Sequence, residues 1–136
     1  VVGAGQMGRG ICQSFAMSGY QVQMMDVSLD ALEKGKSFVN KNCATCHDFN
    51  LPIKNKIGPS LATIHERKIG NLSGYKYSKT LLNMDKKWNL VNLYYFLEKP
   101  KEWAPGTKMS YRGISDSQKL LNTIKYLREN SIRNEN

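Results

Sequence analysis

The sequence is short of acidic side chains, of cysteine and histidine, and of long hydrophobic runs. No apolar run reaches the ~18 residues of a membrane-spanning helix, so the sequence predicts no transmembrane helix. Three cysteines in 136 residues do not make a disulfide framework. The chain begins with Val1, and no signal peptide is visible, because no basic segment leads into an apolar run and a cleavage site. What remains is a chain whose length suits one domain of ordinary size.

The charge of the chain is strongly one-sided. Lysine and arginine together number 20 against 11 aspartates and glutamates, which leaves a formal charge of +9. Such a balance favours acidic partners, which could be a protein docking face, an anionic membrane surface or a nucleic acid. The lysines are scattered among apolar residues rather than gathered in tracts, so the pattern argues against nucleic acid.

Cys43-Ala44-Thr45-Cys46-His47 is the most specific motif in the chain. The pattern C-x-x-C-H is the signature of c-type haem attachment, in which two thiols form thioethers and the adjacent imidazole ligates iron. The alternatives are a redox C-x-x-C or half of a zinc site. A zinc site usually needs four nitrogen or sulfur donors, and only His65 and Cys12 remain to complete one. The haem interpretation is therefore favoured.

Met109 is the candidate for the second axial ligand of that haem. It ends the turn-rich stretch Pro105-Gly106-Thr107-Lys108-Met109, in which proline and glycine favour fixed turns that can present a thioether inward. Met84 is the other downstream methionine, and its polar neighbours predict an exposed side chain. The sequence thus favours His47 and Met109 as the iron ligands.

Residues 35–131 resemble a class I cytochrome c of the mitochondrial and alphaproteobacterial type. The resemblance implies an all-α cytochrome c fold around a covalent haem, with Cys43 and Cys46 as attachment points. It is carried by blocks that occur in the family's order: Gly35 with Phe38, Cys43-Ala44-Thr45-Cys46-His47, Ile57-Gly58-Pro59-Ser60-Leu61, Arg67-Lys68, Tyr75-Lys76-Tyr77-Ser78, Trp88, Tyr95-Phe96-Leu97-Glu98-Lys99-Pro100 and Pro105-Gly106-Thr107-Lys108-Met109.

The resemblance also implies side chains around the haem. The Pro59 carbonyl would accept a hydrogen bond from His47, which makes the imidazole a better ligand. The residues that would contact the haem propionates are Arg67, Tyr77, Trp88 and Thr107. The alternatives are an ordinary Gly-Pro turn at Pro59 and plain core roles for the two aromatic residues. Phe96 stands where the family commonly has a tyrosine, so one donor to the distal side is lost.

The function implied is an electron carrier rather than an enzyme. A six-coordinate haem has no open site for substrate, so the chain would pass single electrons between respiratory-chain partners, such as a cytochrome oxidase or a bc1-type complex. A haem sensor or peroxidase would instead need Met109 to dissociate. The family location is the periplasm or the mitochondrial intermembrane space. The candidate docking residues, which could also be a solvated face, are Lys76, Lys99, Lys101 and Lys108.

The first 34 residues carry a different pattern. A short apolar strand runs into G-x-G-x-x-G, and Asp26 follows at about the distance of the acid that binds a ribose hydroxyl. The stretch resembles the amino end of a 3-hydroxyacyl-CoA dehydrogenase of the 3-hydroxybutyryl-CoA type. The candidate nucleotide-binding residues are Gly3, Gly5, Gly8 and Asp26.

That second resemblance stops before the family's catalytic histidine–glutamate pair and most of its sheet. The adenine and nicotinamide pockets need strands that the sequence lacks, which argues against NAD as a cofactor. The alternative function is therefore a fragment of an NAD-dependent dehydrogenase with at most residual nucleotide binding. The sequence predicts a truncated Rossmann-like βαβ fragment over residues 1–34, a cytochrome c domain over 35–131 and a frayed tail over 132–136.

Helices are predicted at three places in the cytochrome-like segment. Residues 35–42 form the first, and a helix capped by Asp116 forms the last; we expect the two to cross with Gly35 against Tyr126. A middle helix over 91–97 should stop before Pro100. Its inward face is expected from among Val91, Tyr94, Tyr95 and Leu97.

Overall fold

The computed structural model describes residues 28–136, and within that range the chain forms five α-helices joined by long loops. The helices are α1 (Leu29–Asn42), α2 (Lys79–Leu82), α3 (Leu90–Glu98), α4 (Pro100–Trp103) and α5 (Ser117–Glu135). In this part of the chain there is no β-strand, only an isolated antiparallel bridge between Lys68 and Lys87. The predicted all-α fold is confirmed there. The candidate nucleotide-binding residues Gly3, Gly5, Gly8 and Asp26 lie outside the described residues.

Helices α1 and α5 pack against each other at the point where α1 carries a glycine. A Cβ atom built on Gly35 would lie 2.8 Å from the Cβ atom of Tyr126 and would run into the backbone carbonyl of Asn122. Only a residue without a side chain allows this approach. The expected contact between Gly35 and Tyr126 is therefore confirmed, and the crossing fixes where the end of α1 lies.

Both crossing helices begin at a side-chain cap. The Ser28 hydroxyl accepts a hydrogen bond from the Ala31 amide at 3.1 Å and so starts α1. The Asp116 carboxylate accepts from the amides of Gln118 and Lys119 at 2.9 and 3.1 Å, as the sequence predicted. These bonds satisfy amides that a helix N-terminus would otherwise leave unpaired.

Helix α3 supplies much of the remaining core. It ends at Glu98, and Pro100 begins α4, in agreement with the predicted stop. Its buried residues are Leu90, Leu93 and Phe96, whereas the side chain of Tyr95 is 44% exposed. Of the residues predicted to face inward, Tyr94 and Leu97 are half-buried and pack against the core. The prediction was wrong for Tyr95, and it missed Leu93 and Phe96.

Two predicted boundaries differ from the structure. Helix α1 begins at Leu29, so the predicted division between residues 34 and 35 falls inside one unbroken helix. The tail over residues 132–136 was expected to fray, but α5 continues to Glu135. The Asn134 amide donates to the carbonyls of Phe49 and Ala62 at 3.1 and 3.0 Å. These tertiary hydrogen bonds hold the last turn, which the polar sequence did not reveal. None of the described helices is long and apolar enough to cross a membrane.

Candidate functional site

A cavity of about 240 Å³ opens between the helices and the loops that join them. It is lined by residues from the turn after α1 and by residues from the loop after α4. Every residue predicted to bind or contact the haem lines this cavity: Cys43, Cys46, His47, Pro59, Arg67, Tyr77, Trp88, Thr107 and Met109. The structure thus brings together side chains that are far apart in sequence.

The turn that follows α1 presents the two thiols and the imidazole. The Cys43 amide continues the helix by donating to the Val39 carbonyl at 2.8 Å. The amides of Cys46 and His47 then both donate to the Cys43 carbonyl, at 3.0 and 2.9 Å. Because residues three and four apart lie on one side of such a turn, all three side chains can line the same cavity.

The His47 ring is held by the Pro59 carbonyl. The distance from Nδ1 of His47 to the carbonyl oxygen of Pro59 is 2.7 Å. Since a carbonyl only accepts, Nδ1 carries the proton and Nε2 keeps its lone pair, which is the form that ligates a metal. Burial lowers the pKa of His47, although the Pro59 bond opposes that effect, and the neutral form is favoured.

Gly58 allows the Pro59 carbonyl to reach the ring. A Cβ atom built at Gly58 would lie 2.8 Å from Nδ1 of His47, so any side chain there would displace the imidazole. The Gly58 amide also donates to the Cys46 carbonyl at 2.7 Å, which ties the Gly-Pro loop to the Cys-His turn. The Gly-Pro pair is therefore more than an ordinary turn.

Cys43 does not have the properties of a redox-active cysteine. Burial, and to a lesser extent the nearby Cys46 thiol, raise the pKa of the Cys43 thiol to about 11. Catalytic C-x-x-C cysteines have lowered pKa values, because the thiolate is the nucleophile. The redox alternative considered for this motif is therefore disfavoured by the environment of Cys43.

Arg67 brings an unsatisfied cationic donor to the cavity. Its Nη2 donates to the Ser60 carbonyl at 3.0 Å, and its Nη1 donates to the Thr63 hydroxyl at 3.4 Å. Its Nε is buried and has no hydrogen-bond partner among the described residues. Burial lowers the pKa of Arg67, and nearby Tyr77 and Glu135 oppose this effect. Because Arg67 lines the cavity, its free buried donor suits an anionic group there.

The Tyr77 phenol lies in the same part of the site. Its oxygen accepts a hydrogen bond from the Leu72 amide at 3.3 Å, so its own proton remains available to donate. Burial raises the pKa of Tyr77, which keeps the phenol protonated at neutral pH. Arg67 and Tyr77 together therefore offer donors to a carboxylate.

The rest of the lining is mainly aliphatic and aromatic, and includes Leu61, Ile64, Leu81, Leu93, Phe96 and Ile114. An apolar wall suits a flat macrocycle, the thiols suit its attachment, and the free Arg67 donor suits its carboxylates. The residues present thus fit a covalently attached haem. Met109 lines the cavity and Met84 does not; Met84 is half-buried against the core rather than exposed as expected.

The four candidate docking lysines have different surroundings. Lys108 lines the cavity, and its Nζ donates to the Lys76 carbonyl at 2.9 Å. Lys99 lies 3.7 Å from the Glu102 carboxylate on the exposed surface. Lys76 and Lys101 are exposed, and neither lines the cavity. The structure therefore places only one of the four directly at the site.

Sequence reasoning gave no role to several residues of the site. Tyr111 lines the cavity two residues beyond Met109, and burial raises its pKa, with the Cys43 thiol close enough to raise it further. Ser78 lines it as well and caps α2. Their nearness to Met109 and Tyr77 in the sequence was the only signal that could have marked them.

Comparison with protein families gives a match at the amino-terminal end. The family model for the 3-hydroxyacyl-CoA dehydrogenase NAD binding domain matches residues 1–68. This confirms the resemblance of the first 34 residues and extends past the Cys-His motif. Over residues 28–68, where that match and the described structure overlap, the chain forms α1 and cavity loops and contains no strand.

The remaining comparisons concern cytochromes. The cytochrome c of Gibberella zeae is 34% identical over 100 residues, which cover 74% of this chain and 94% of that protein. The cytochrome c of Arabidopsis thaliana is 34% identical over 109 residues, or 79% of this chain and 97% of that protein. A cytochrome c homolog of Rickettsia typhi is 39% identical over 94 residues, which are 69% of this chain and 53% of that protein.

Among solved structures, cytochrome cH from Methylobacterium extorquens is similar to this chain, with a TM-score of 0.66 and 34% identity. The similarity covers 72% of this chain and 97% of that one. The chain therefore belongs to the cytochrome c family and, through residues 1–68, also to that of the 3-hydroxyacyl-CoA dehydrogenase NAD-binding domain.

Proposed function

We propose that this chain carries single electrons through a haem c attached to Cys43 and Cys46. The observation that supports this most is the turn that holds both thiols and the His47 ring against one cavity, with Nδ1 bonded to the Pro59 carbonyl at 2.7 Å. When bound, the haem iron supplies a reversible one-electron couple. The chain's own residues set its position, its ligands and its contact with water.

His47 and Met109 are the proposed iron ligands. The Pro59 bond keeps Nε2 of His47 basic and the ring in one orientation. Met109 is brought to the cavity by the loop after α4, in which its amide donates to the Thr107 hydroxyl at 3.3 Å. A histidine and a methionine together raise the reduction potential, and they leave no site for a substrate. The proposed activity is therefore electron transfer and not bond-making catalysis.

Arg67, Tyr77, Trp88 and Thr107 are proposed to hold the haem propionates. The free Nε of Arg67 is the strongest support, since a buried unpaired donor is costly unless an anion meets it. Tyr77 and Trp88 are 8% and 6% exposed, so carboxylates beside them would be shielded from water. Charge-assisted hydrogen bonds would then offset the desolvation of those carboxylates.

The proposed partners are acidic docking faces of respiratory complexes, such as a cytochrome oxidase or a bc1-type complex. The net charge of +9 supports this, because opposite charge steers association. Lys76, Lys99, Lys101 and Lys108 are the proposed docking residues, with Lys108 at the cavity itself. An anionic membrane surface is a further proposed partner, and the periplasm or mitochondrial intermembrane space is the proposed location.

The first test is the absorption spectrum of the full chain, produced in a host that attaches c-type haem. We expect a sharp α-band on reduction, which reports a six-coordinate haem, and a haem stain that survives a denaturing gel, which reports thioether attachment. The variant Cys43→Ser with Cys46→Ser should lose the stain. A colourless wild-type chain that binds NADH in a fluorescence titration would contradict the proposal and favour the dehydrogenase fragment.

A second test separates the two methionines. Met109→Ala should let the reduced protein bind carbon monoxide at neutral pH, because it opens the sixth iron position. Met84→Ala is the matched control and should behave as the wild type, since Met84 does not line the cavity. Carbon monoxide binding by the wild type itself would contradict the carrier and favour a sensor or peroxidase.

A further inference from the structure

Met109 lies in a loop whose conformation is held by a few hydrogen bonds. The Met109 loop, residues 104–116 between α4 and α5, contains no helix or strand. Its first turn is closed by the Thr107 amide, which donates to the Ala104 carbonyl at 3.0 Å. Its far end is tied to α3 by the Ile114 amide, which donates to the Leu97 carbonyl at 2.9 Å. The stretch between these points needs other partners to keep Met109 in one place.

Two side-chain hydrogen bonds join this loop to residues 75–82, which we call the Tyr77 segment. The Thr80 hydroxyl donates to the Pro105 carbonyl at the start of the loop. The Nζ of Lys108 donates to the Lys76 carbonyl at 2.9 Å, next to Met109. The segment that presents Tyr77 to the cavity is therefore also the segment that meets the Met109 loop.

The threonine bond is the more restrictive of the two. Thr80 belongs to α2, whose cap Ser78 is buried and accepts from the Leu81 amide at 3.4 Å. Leu81 in turn is buried and lines the cavity. A β-branched side chain on such an anchored turn has little rotational freedom. Lys108 is exposed and reaches its carbonyl through a long flexible stem, so its bond limits the loop less.

We propose that Thr80 is a positioning residue for Met109. Its hydroxyl holds the Pro105 carbonyl, and through that turn it keeps the thioether at the iron. This inference rests on the proposed function, in which Met109 ligates the haem iron. Removal of the hydroxyl should increase the fraction of time that Met109 is dissociated, without changing which groups line the cavity.

The experiment measures imidazole binding to the oxidised, haem-loaded full chain. At saturating imidazole the rate is limited by the dissociation of Met109, so it reports the loop directly. Thr80→Val keeps the volume and loses the hydroxyl, whereas Thr80→Ser keeps the hydroxyl. Loss of one hydrogen bond predicts a limiting rate roughly 2- to 12-fold higher for Thr80→Val. Thr80→Ser should restore a rate close to that of the wild type.

Four outcomes would count against the inference or the ligation on which it rests. A Thr80→Val rate equal to the wild-type rate would overturn the proposal, and so would equal acceleration in Thr80→Val and Thr80→Ser, which would indicate methyl packing. A urea midpoint that falls in Thr80→Val with no change in rate would show a merely structural role and overturn it too. Met109→Ala must bind imidazole without the slow step; if it does not, the proposed ligation fails first.

Discussion

The close crossing of α1 and α5 can be tested by adding a single methyl group. In Gly35→Ala the new Cβ atom would stand 2.8 Å from Cβ of Tyr126 and 2.8 Å from the carbonyl carbon of Asn122. Carbon atoms attract each other best at about 3.5–4.0 Å, so these contacts are repulsive. The Asn122 carbonyl belongs to the backbone of α5 and cannot rotate away. The two helices would have to move apart.

The expected loss of stability is the difference between two effects. Alanine is preferred over glycine inside a helix by about 1 kcal/mol. Overpacking a core costs roughly 1–3 kcal/mol, and a clash with backbone belongs at the upper end of that range. We therefore expect Gly35→Ala to lower the free energy of unfolding by about 2 kcal/mol. Because α1 leads directly into Cys43, the same shift should disturb the turn that carries Cys43, Cys46 and His47.

Urea unfolding of the haem-loaded protein, followed by helix circular dichroism, measures this change. Ser37→Ala is the matched control, since Ser37 lies on the exposed side of the same helix. It adds no contact and should leave stability the same or slightly higher. A Gly35→Ala protein at least as stable as the wild type would refute the reasoning, because the crossing would then tolerate a side chain.

Three further outcomes are expected. Glu66 has a φ of 60°, a backbone conformation that glycine adopts more easily than glutamate. Glu66→Gly should therefore raise the free energy of unfolding by about 1 kcal/mol, and a lower free energy in urea unfolding would contradict this. Gly58→Ala should push the His47 ring away from the Pro59 carbonyl and lower the yield of haem-stained protein; a wild-type yield and spectrum would count against that contact. Asn134→Ala removes two hydrogen bonds to loop carbonyls and should cost about 1–3 kcal/mol in the same unfolding assay, with exposed Asn136→Ala as the unchanged control.

The turn that carries the C-x-x-C-H motif could be predicted from the sequence because its residues are close together in the chain. Cys43, Cys46 and His47 fall within one turn, in which the amides of Cys46 and His47 donate to the Cys43 carbonyl. The Asp116 cap and the stop before Pro100 are local for the same reason. A cap or a proline acts on the backbone within a few residues, whatever the remainder of the fold does.

Other features depended on contacts between distant residues. The polar sequence of residues 132–136 predicted a frayed tail, whereas the Asn134 amide donates to two carbonyls far away in the chain. The inward face of α3 was predicted only in part, because the positions near Tyr95 are apolar or aromatic and periodicity alone did not select Leu93 and Phe96. Nothing in the sequence around Thr80 points to the Met109 loop, because a hydroxyl in a short polar stretch has many local partners to choose from.

The sequence by itself determined the turn that carries Cys43, Cys46 and His47, the candidate iron ligands, the helix caps and the family of the greater part of the chain. These follow from residue types at short spacings and from the order of the blocks. Only the tertiary structure decided that Met84 packs against the core rather than lying exposed, and that Arg67 keeps an unpaired donor at the cavity. It also decided that Gly35 and Gly58 must lack side chains. These properties arise where two segments meet, and the meeting of segments is set by packing rather than by local sequence.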